Sequence, residues 1–389
     1  MAFLRHGCSA HAICPRGHAL RLVPGIGPLY RYSGTRSLQS LHQAILASQP
    51  DLLVPCDDGV VYQLHTLHAR HPALRPLIER SLGAANSYPI VASRNRLLAF
   101  AASLGILTPF TRPIQSESDL TNWPYESAVL KANGSSGGNG VAIAHTQTAI
   151  QSGHRDLSKP LTLAIALKRS LINRNPLALW FWRTHPQPEL IAQQFIANSR
   201  PANTMIACWQ GELLASVTVE TICSQGPTGA ATVVRFLHHA EIEETSRKLA
   251  RNLMLSGFHG LDFMLEAHEN PSLAPAWLIE LNPRCTQLGH LNLPGQGDLA
   301  GILTAKLTNA PLTNPSPGTP IEGDTVAFYP QALAWNPQSP YITHGYHDIP
   351  SQAPALLAEL QLEEWPLRQW PARLYHHFFP PQHPQNETS

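Results

Sequence analysis

Charge is scarce in this sequence: Asp, Glu, Lys and Arg make up 14% of the 389 residues, well under the ~25% usual for soluble domains. Lysine is scarcer still, five of the 27 basic residues, the rest being arginine. With 26 acidic residues the formal net charge is +1, so no sign of charge dominates and nucleic acid is not an expected partner. Long apolar runs are also missing. The longest, residues 97–107, is interrupted by Ser103 and falls far below the ~20 residues that a membrane span needs. The six cysteines contain no C-x-x-C pair, which argues against a zinc ribbon or a disulfide framework and fits a reducing cytoplasm. Arg5 and His6 stand where a secretory apolar core would run, so the reading is an untargeted, cytoplasmic protein. What remains is a chain with 43% hydrophobic residues, long enough for two or three domains and ample core.

The first ninety residues alternate helical and strand-like patterns. Residues 2–6 read as a helix leading into a strand at 10–14, residues 39–46 carry helical spacing, and residues 51–55 form a short apolar run that suits a buried parallel strand. The alternation predicts an α/β layer whose opening strand and turn would lie before Met1. Ser93 is a plausible cap for a helix closed by Gly105. Residues 128–145 read as a hairpin with a glycine-rich tip, and residues 241–256 as a helix stopped by Gly257. Two strands follow, at 260–266 and 277–282, and the tail from Pro380 is expected to be disordered.

The chemistry-bearing pattern is Asp262 with Glu280-Leu-Asn-Pro-Arg284. Side chains alternate along a strand, so Glu280 and Asn282 share one face while Leu281 enters the core, and Asp262 on the preceding strand can face them. Two carboxylates and an amide carbonyl, without His or Cys, suit a hard cation such as Mg²⁺. The plainer alternative has Asp262 capping a turn and Glu280 paired with Arg284 at the surface. Lys131 precedes a run of small residues that includes Gly134, Ser135, Ser136, Gly137 and Gly138. Such a loop lets backbone N–H groups approach phosphate oxygens, although a loose hairpin tip has the same composition. Gln193 and Gln194 interrupt an apolar strand that continues into Phe195 and Ile196. Open backbone there can read an adenine edge, or the segment is merely a half-buried strand.

Taken in order, these motifs resemble the ATP-grasp superfamily, over roughly residues 51–284. Cys56-Asp-Asp58 closes a strand of the preceding domain, Arg94 opens a helix, and Lys131, the glycine loop, the Gln193 strand, Asp262 and Glu280-x-Asn-Pro-Arg284 follow. The resemblance implies a mixed α/β and α+β architecture. Residues 1–90 would form a Rossmann-like pre-ATP-grasp domain without its first strand. Residues 91–330 would form a two-subdomain ATP-grasp domain with a lid at about 115–190, and 331–389 a C-terminal extension. It also implies that Arg94 and Lys131 bind phosphates and that the glycine loop folds over them. By the same resemblance Gln193 to Ile196 read adenine, and Asp262, Glu280 and Asn282 hold Mg²⁺, with Glu280 bridging two ions and Mn²⁺ as a substitute. Arg94 departs from the lysine usual at its position and exchanges a compact ammonium for a planar fork.

The expected reaction is that of a carboxylate–amine ligase, in which ATP activates a small-molecule carboxylate as an acyl phosphate and an amine captures it. Arg284 would neutralise charge at the γ-phosphate, and Arg235 is a second candidate cation. Amino acids or short peptides are the default substrates, and a homodimer is compatible with the resemblance. A phosphotransferase acting on a hydroxyl, a bicarbonate-using carboxylase and a non-catalytic ATP-binding module are the alternatives. The histidines lack zinc-site spacing, and Cys285 has no evident base partner.

Overall fold

A computed structural model describes residues 1–132, 140–173, 175–185, 187–293, 297–311, 323–363 and 365–378. The chain forms two compact units, each discontinuous in sequence. One comprises Met1–Ala10, Gln49–Pro160 and Gln187–Ile349, the other His11–Ser48, Leu161–Pro186 and Pro350–Ser389.

The smaller unit contains a parallel pair, β1 (Ala12–Cys14) and β2 (Leu29–Arg31), in the register Ala12 to Leu29 and Cys14 to Arg31. The helix expected around 39–46 spans Ser37–Ser48 and buries Leu41, Ala44 and Ile45. Strand followed by helix beside a parallel neighbour is the α/β pattern expected of this stretch. Residues 51–55, in the larger unit, form no strand. Leu53 N donates to the Ser81 hydroxyl (2.9 Å), so a side chain takes the backbone group that a neighbouring strand would have used, while Leu52 and Val54 pack as half-buried side chains against an apolar cluster.

The larger unit holds the remaining strands. They are β3 (Thr111–Ile114), β4 (Ala128–Ala132), β5 (Val141–Ala144), β6 (Leu190–Gln194), β7 (Ser199–Trp209), β8 (Glu212–Ser224), β9 (Ala231–Phe236), β10 (Gly257–Glu266), β11 (Ala276–Asn282), β12 (Asn292–Leu293), β13 (Gly297–Asp298), β14 (Thr325–Ala327) and β15 (Tyr346–His347). A four-stranded antiparallel sheet runs in the order β3-β6-β4-β5 and contains the expected hairpin, with Ala128 opposite Ala144. A seven-stranded sheet runs β11-β10-β7-β8-β9-β14-β15 and is antiparallel except for its last pair; β12 and β13 form a separate hairpin. The chain passes between the two large sheets at residues 195–198, between β6 and β7.

One face of the seven-stranded sheet is covered by the helices Arg94–Ser103 and Ala240–Asn252. Leu97, Leu98, Ala101, Ile242 and Leu249 meet Leu261, Phe263 and Leu278 there, all essentially excluded from solvent. The helix Leu299–Thr308 covers the other face through Leu299, Ala300 and Leu303. Ser93 caps the first of these helices by accepting from Arg96 N (3.5 Å). Gly105, at φ +71°, ends it while Ile106 N reaches back to Ala101 O (3.1 Å). The second helix stops at Asn252, earlier than the expected Ser256. Met254 takes the left-handed conformation (φ +49°) and Leu255 N donates to Ala250 O (2.9 Å), which closes the helix in a Schellman turn. Gly257 therefore opens β10 rather than terminating the helix; its φ is +77°, and a Cβ there would lie 2.2 Å from Ser81 O.

Candidate active site

Asp262 and Glu280 are register partners on β10 and β11, as strand alternation predicts, and Leu281 is buried on the opposite face. A β-bulge follows directly, between Asp262 and Phe263, ending regular pairing beside the carboxylates. Both Asp262 oxygens are already engaged: Asn203 Nδ2 donates to Oδ1 (2.6 Å) and Asn282 Nδ2 to Oδ2 (3.0 Å). Burial, followed by the negative charge of Glu280, pushes the Asp262 carboxyl up to about 6, while Asn203, Asn282 and Lys131 pull the other way.

Two cations close on this pair. Arg94, the first residue of its helix, pairs through Nη2 with Glu280 Oε1 and reaches the Ala132 carbonyl through Nη1 (3.4 Å). Among the described residues its Nε is buried without a hydrogen-bond partner. Lys131 on β4 is 5% exposed. Desolvation lowers its ammonium to about 8, with Arg94 adding to the fall and Glu280 and Asp262 opposing it. A lysine so deeply buried among two carboxylates and a guanidinium is held for charge rather than for solvation.

Arg284 extends the group. Its Nη2 lies 3.5 Å from Asn282 Oδ1 and its Nε donates to Asp58 Oδ1 (2.9 Å). Burial raises the Asp58 carboxyl, and Arg284 opposes the rise. A cavity of about 50 Å³ lies among Asp58, Tyr62, His65, Arg94, Glu280 and Asn282. Burial drives the Tyr62 phenol up to about 12, so it stays protonated and donates to Ala92 O (2.8 Å). His65 is pushed down to about 4 by burial and by His68, and stacks neutral on Tyr88 at 4.1 Å.

The sequence-derived residues thus divide. Arg94, Lys131, Asp262, Glu280 and Asn282 come together, with Arg284 joined through Asn282. Gln193 and Gln194 lie at the end of β6, where the Gln193 amide donates to Thr111 Oγ1 (3.4 Å) and Gln194 exchanges hydrogen bonds with the Phe110 backbone. Phe195 and Ile196 follow in the passage between the sheets, Phe195 edge-on to His145 at 5.0 Å. Arg235 stands elsewhere. It pairs with buried Glu220 (3.0 Å), whose register partner Ala202 alternates with Asn203 along β7, so the pair occupies the other face of the sheet from Asp262. Gly134, Ser135, Ser136, Gly137 and Gly138 lie outside the described residues. No sequence pattern singles out Asn203 or Tyr62. A lone Asn in a strand and a Tyr in an amphipathic helix carry no local signal.

Among the described residues no group of three or more His, Cys, Asp or Glu is placed to hold a metal ion. The donor set of two carboxylates and one amide carbonyl is nevertheless of the hard-oxygen kind, and the burial and carboxylate repulsion that together raise Asp262 are what a cation would relieve.

Neither a protein-family model nor a curated protein sequence matches the chain. Solved structures do. N5-carboxyaminoimidazole ribonucleotide synthetase from Thermus thermophilus is 16% identical, with a TM-score of 0.54, over 80% of this chain and 75% of its own. L-amino acid ligase from Bacillus licheniformis is 14% identical, with a TM-score of 0.52, over 78% and 69%. The chain has the ATP-grasp fold. The biotin carboxylase domain of 2-oxoglutarate carboxylase from Hydrogenobacter thermophilus, solved as a dimer with MgADP, ADP and bicarbonate, is 12% identical, with a TM-score of 0.54, over 82% and 73%. The mixed α/β architecture expected from the sequence is therefore established. No helix among the described residues is long and apolar enough to cross a membrane.

Proposed function

We propose that the protein is an ATP-dependent carboxylate–amine ligase. The observation that carries this reading is the Asp262–Glu280 carboxylate pair with Lys131 and Arg94 sealed against it. That arrangement suits the charge distribution of a metal-bound triphosphate. Asp262, Glu280 and Asn282 are the residues to hold Mg²⁺, which when bound would neutralise phosphate charge. Lys131 and Arg94 would contact phosphate oxygens. The Nε of Arg94, unpartnered among the described residues, is a buried donor for which a phosphate would provide an acceptor. The segment from Gln193 to Ile196 would take the adenine through its backbone after β6 ends.

In this reading a substrate carboxylate oxygen attacks the γ-phosphorus, ADP leaves, and the amine attacks the acyl carbon to release phosphate and leave an amide. The protein's part is to position and to neutralise rather than to form a covalent bond. Arg284 would orient the carboxylate, held in place by Asp58 and Asn282. The solved structures of similar fold include enzymes with ADP or ATP bound, which supports an ATP-dependent ligase. Amino acids or short peptides are the substrate class to try first.

The test is ADP release from ATP and Mg²⁺ in the presence of paired pools of carboxylates and amines. Release that requires both members of a pair supports the ligase. Release with a hydroxyl compound alone replaces it with a phosphotransferase, and absence of nucleotide binding by calorimetry removes both.

A further inference from the structure

The smaller unit contains a cavity of about 800 Å³ that the ligase reading does not use. Because β1 and β2 are parallel, the turns that follow them leave the same edge of the pair. Pro15 to Gly17 and Tyr32 to Thr35 line the cavity from those two turns. The crevice outside the carboxyl ends of parallel strands is where open α/β sheets bind ligands, and a volume of this size suits a small organic molecule.

The lining is cationic. Arg16, Arg21 and Arg31 border the cavity, and among the described residues no carboxylate does. Arg21 has a counter-ion in Glu359 (3.4 Å), which also pairs with Arg368. Arg16 and Arg31 have no ion-pair partner among the described residues. All three arginines are exposed; with Arg21 paired to Glu359, Arg16 and Arg31 give the hollow a local positive field in a chain otherwise poor in charge. Hydroxyls stand beside them: Ser33 and Thr35 face each other (3.2 Å) in the turn after β2. An indole lies beside them. Trp365 lies so close over Gly17 that a Cβ there would come within 2.2 Å of its ring, and Gly17 has φ +84°. The indole is therefore fixed against the β1 turn by a residue that only glycine can supply.

We propose that this cavity binds a small organic phosphate ester, with Arg16 and Arg31 gripping the phosphate and Trp365 covering the organic part. Phosphate rather than carboxylate fits two unneutralised guanidinium groups and adjoining hydroxyls, since a dianion offers an oxygen to each. Inorganic phosphate would leave most of the cavity unfilled.

The full-length protein, labelled with 5-fluorotryptophan and with the Trp365 resonance assigned by Trp365→Phe, is titrated with inorganic phosphate, phenyl phosphate and, at matched ionic strength, sodium chloride. The expected result is a saturable shift of the Trp365 resonance with phenyl phosphate, at least fivefold tighter than with inorganic phosphate. In Arg16→Ala/Arg31→Ala the affinity for phenyl phosphate should weaken at least tenfold, while circular dichroism and the melting temperature stay as in the wild type. An unmoved Trp365 resonance, an equal shift with chloride, or unchanged affinity in the double variant overturns the site. Equal affinities for the two phosphates overturn the assignment to an organic ester. Because the readout sits on Trp365, nucleotide binding at the Asp262 centre does not register as success.

Discussion

Asn203 donates to one oxygen of Asp262 from β7 (2.6 Å) while Asn282 donates to the other from β11 (3.0 Å), so the carboxylate is held by neighbours on both sides in the sheet. Two amide donors fix its plane and leave lone pairs for a cation. This preorganisation gives the site a set of measurable consequences.

Glu280→Gln removes one charge of the carboxylate pair from a position that is still partly solvent-reachable. Gln keeps an acceptor for Arg94 and relieves the repulsion on Asp262, so the protein should stay folded with a cooperative melt, while ADP release falls by about a hundredfold or more, as expected for loss of a charged group at a phosphoryl-transfer centre. Steady-state rates beside a thermal melt check it, and near-normal turnover removes Glu280 from the centre.

Lys131→Met should weaken nucleotide binding about tenfold or more, which corresponds to ~1.4 kcal/mol. With the Lys131 ammonium lowered to about 8, affinity in the wild type should also decline as pH rises through that value, since the neutral amine must regain a proton to serve the phosphates. Calorimetric titrations from below to well above that value should show the decline in the wild type and a flatter profile in the variant.

Asp262 gives a second pH signature. Its folded value of about 6 lies above the ordinary carboxylate value of 3.8. The folded state therefore binds more protons than the unfolded state between these limits, and stability falls as pH rises from about 4 to about 6. Glu280→Gln, by removing a neighbouring negative charge, should flatten that fall. Differential scanning calorimetry of both proteins without divalent ion tests it, and equal slopes would dissociate the two carboxylates.

Arg235→Ala should act on stability before it acts on nucleotide. The substitution leaves Glu220, 1% exposed, with only the more distant Arg200 (3.5 Å) as counter-ion, so a buried carboxylate is less well compensated and stability falls. A lowered melting temperature with unchanged ADP affinity is expected. Unchanged stability with lost turnover would instead place Arg235 among the catalytic cations.

Cys56 should be the first cysteine to be alkylated. It is exposed, and the hydrogen bond from the Cys285 thiol, followed by the Arg284 charge, lowers its thiol despite opposing burial, while Cys285 is raised well above the ordinary range. Peptide mapping after brief iodoacetamide treatment reads the order. Faster labelling of Cys208, which is buried on β7, would contradict the packing.

What the linear chain determined by itself is whatever depends on neighbours within a few residues. Ser93 and Gly105 bound a helix because capping is local. Glu280 and Asn282 share a face because strand side chains alternate, and the hairpin from Ala128 to Ala144 pairs two strands that are close in sequence. The early stop at Asn252 shows the limit of that reasoning, since Met254 rather than a glycine took the left-handed position. Only the tertiary structure decided which distant groups meet. Arg94 and Glu280 are 186 residues apart and Arg284 and Asp58 are 226 apart. The choice of Asn203 as the second clamp on Asp262, and the placing of Arg235 on the opposite face, follow from the register of long antiparallel strands. One residue of shift would reverse them, and no local pattern in the chain states that register.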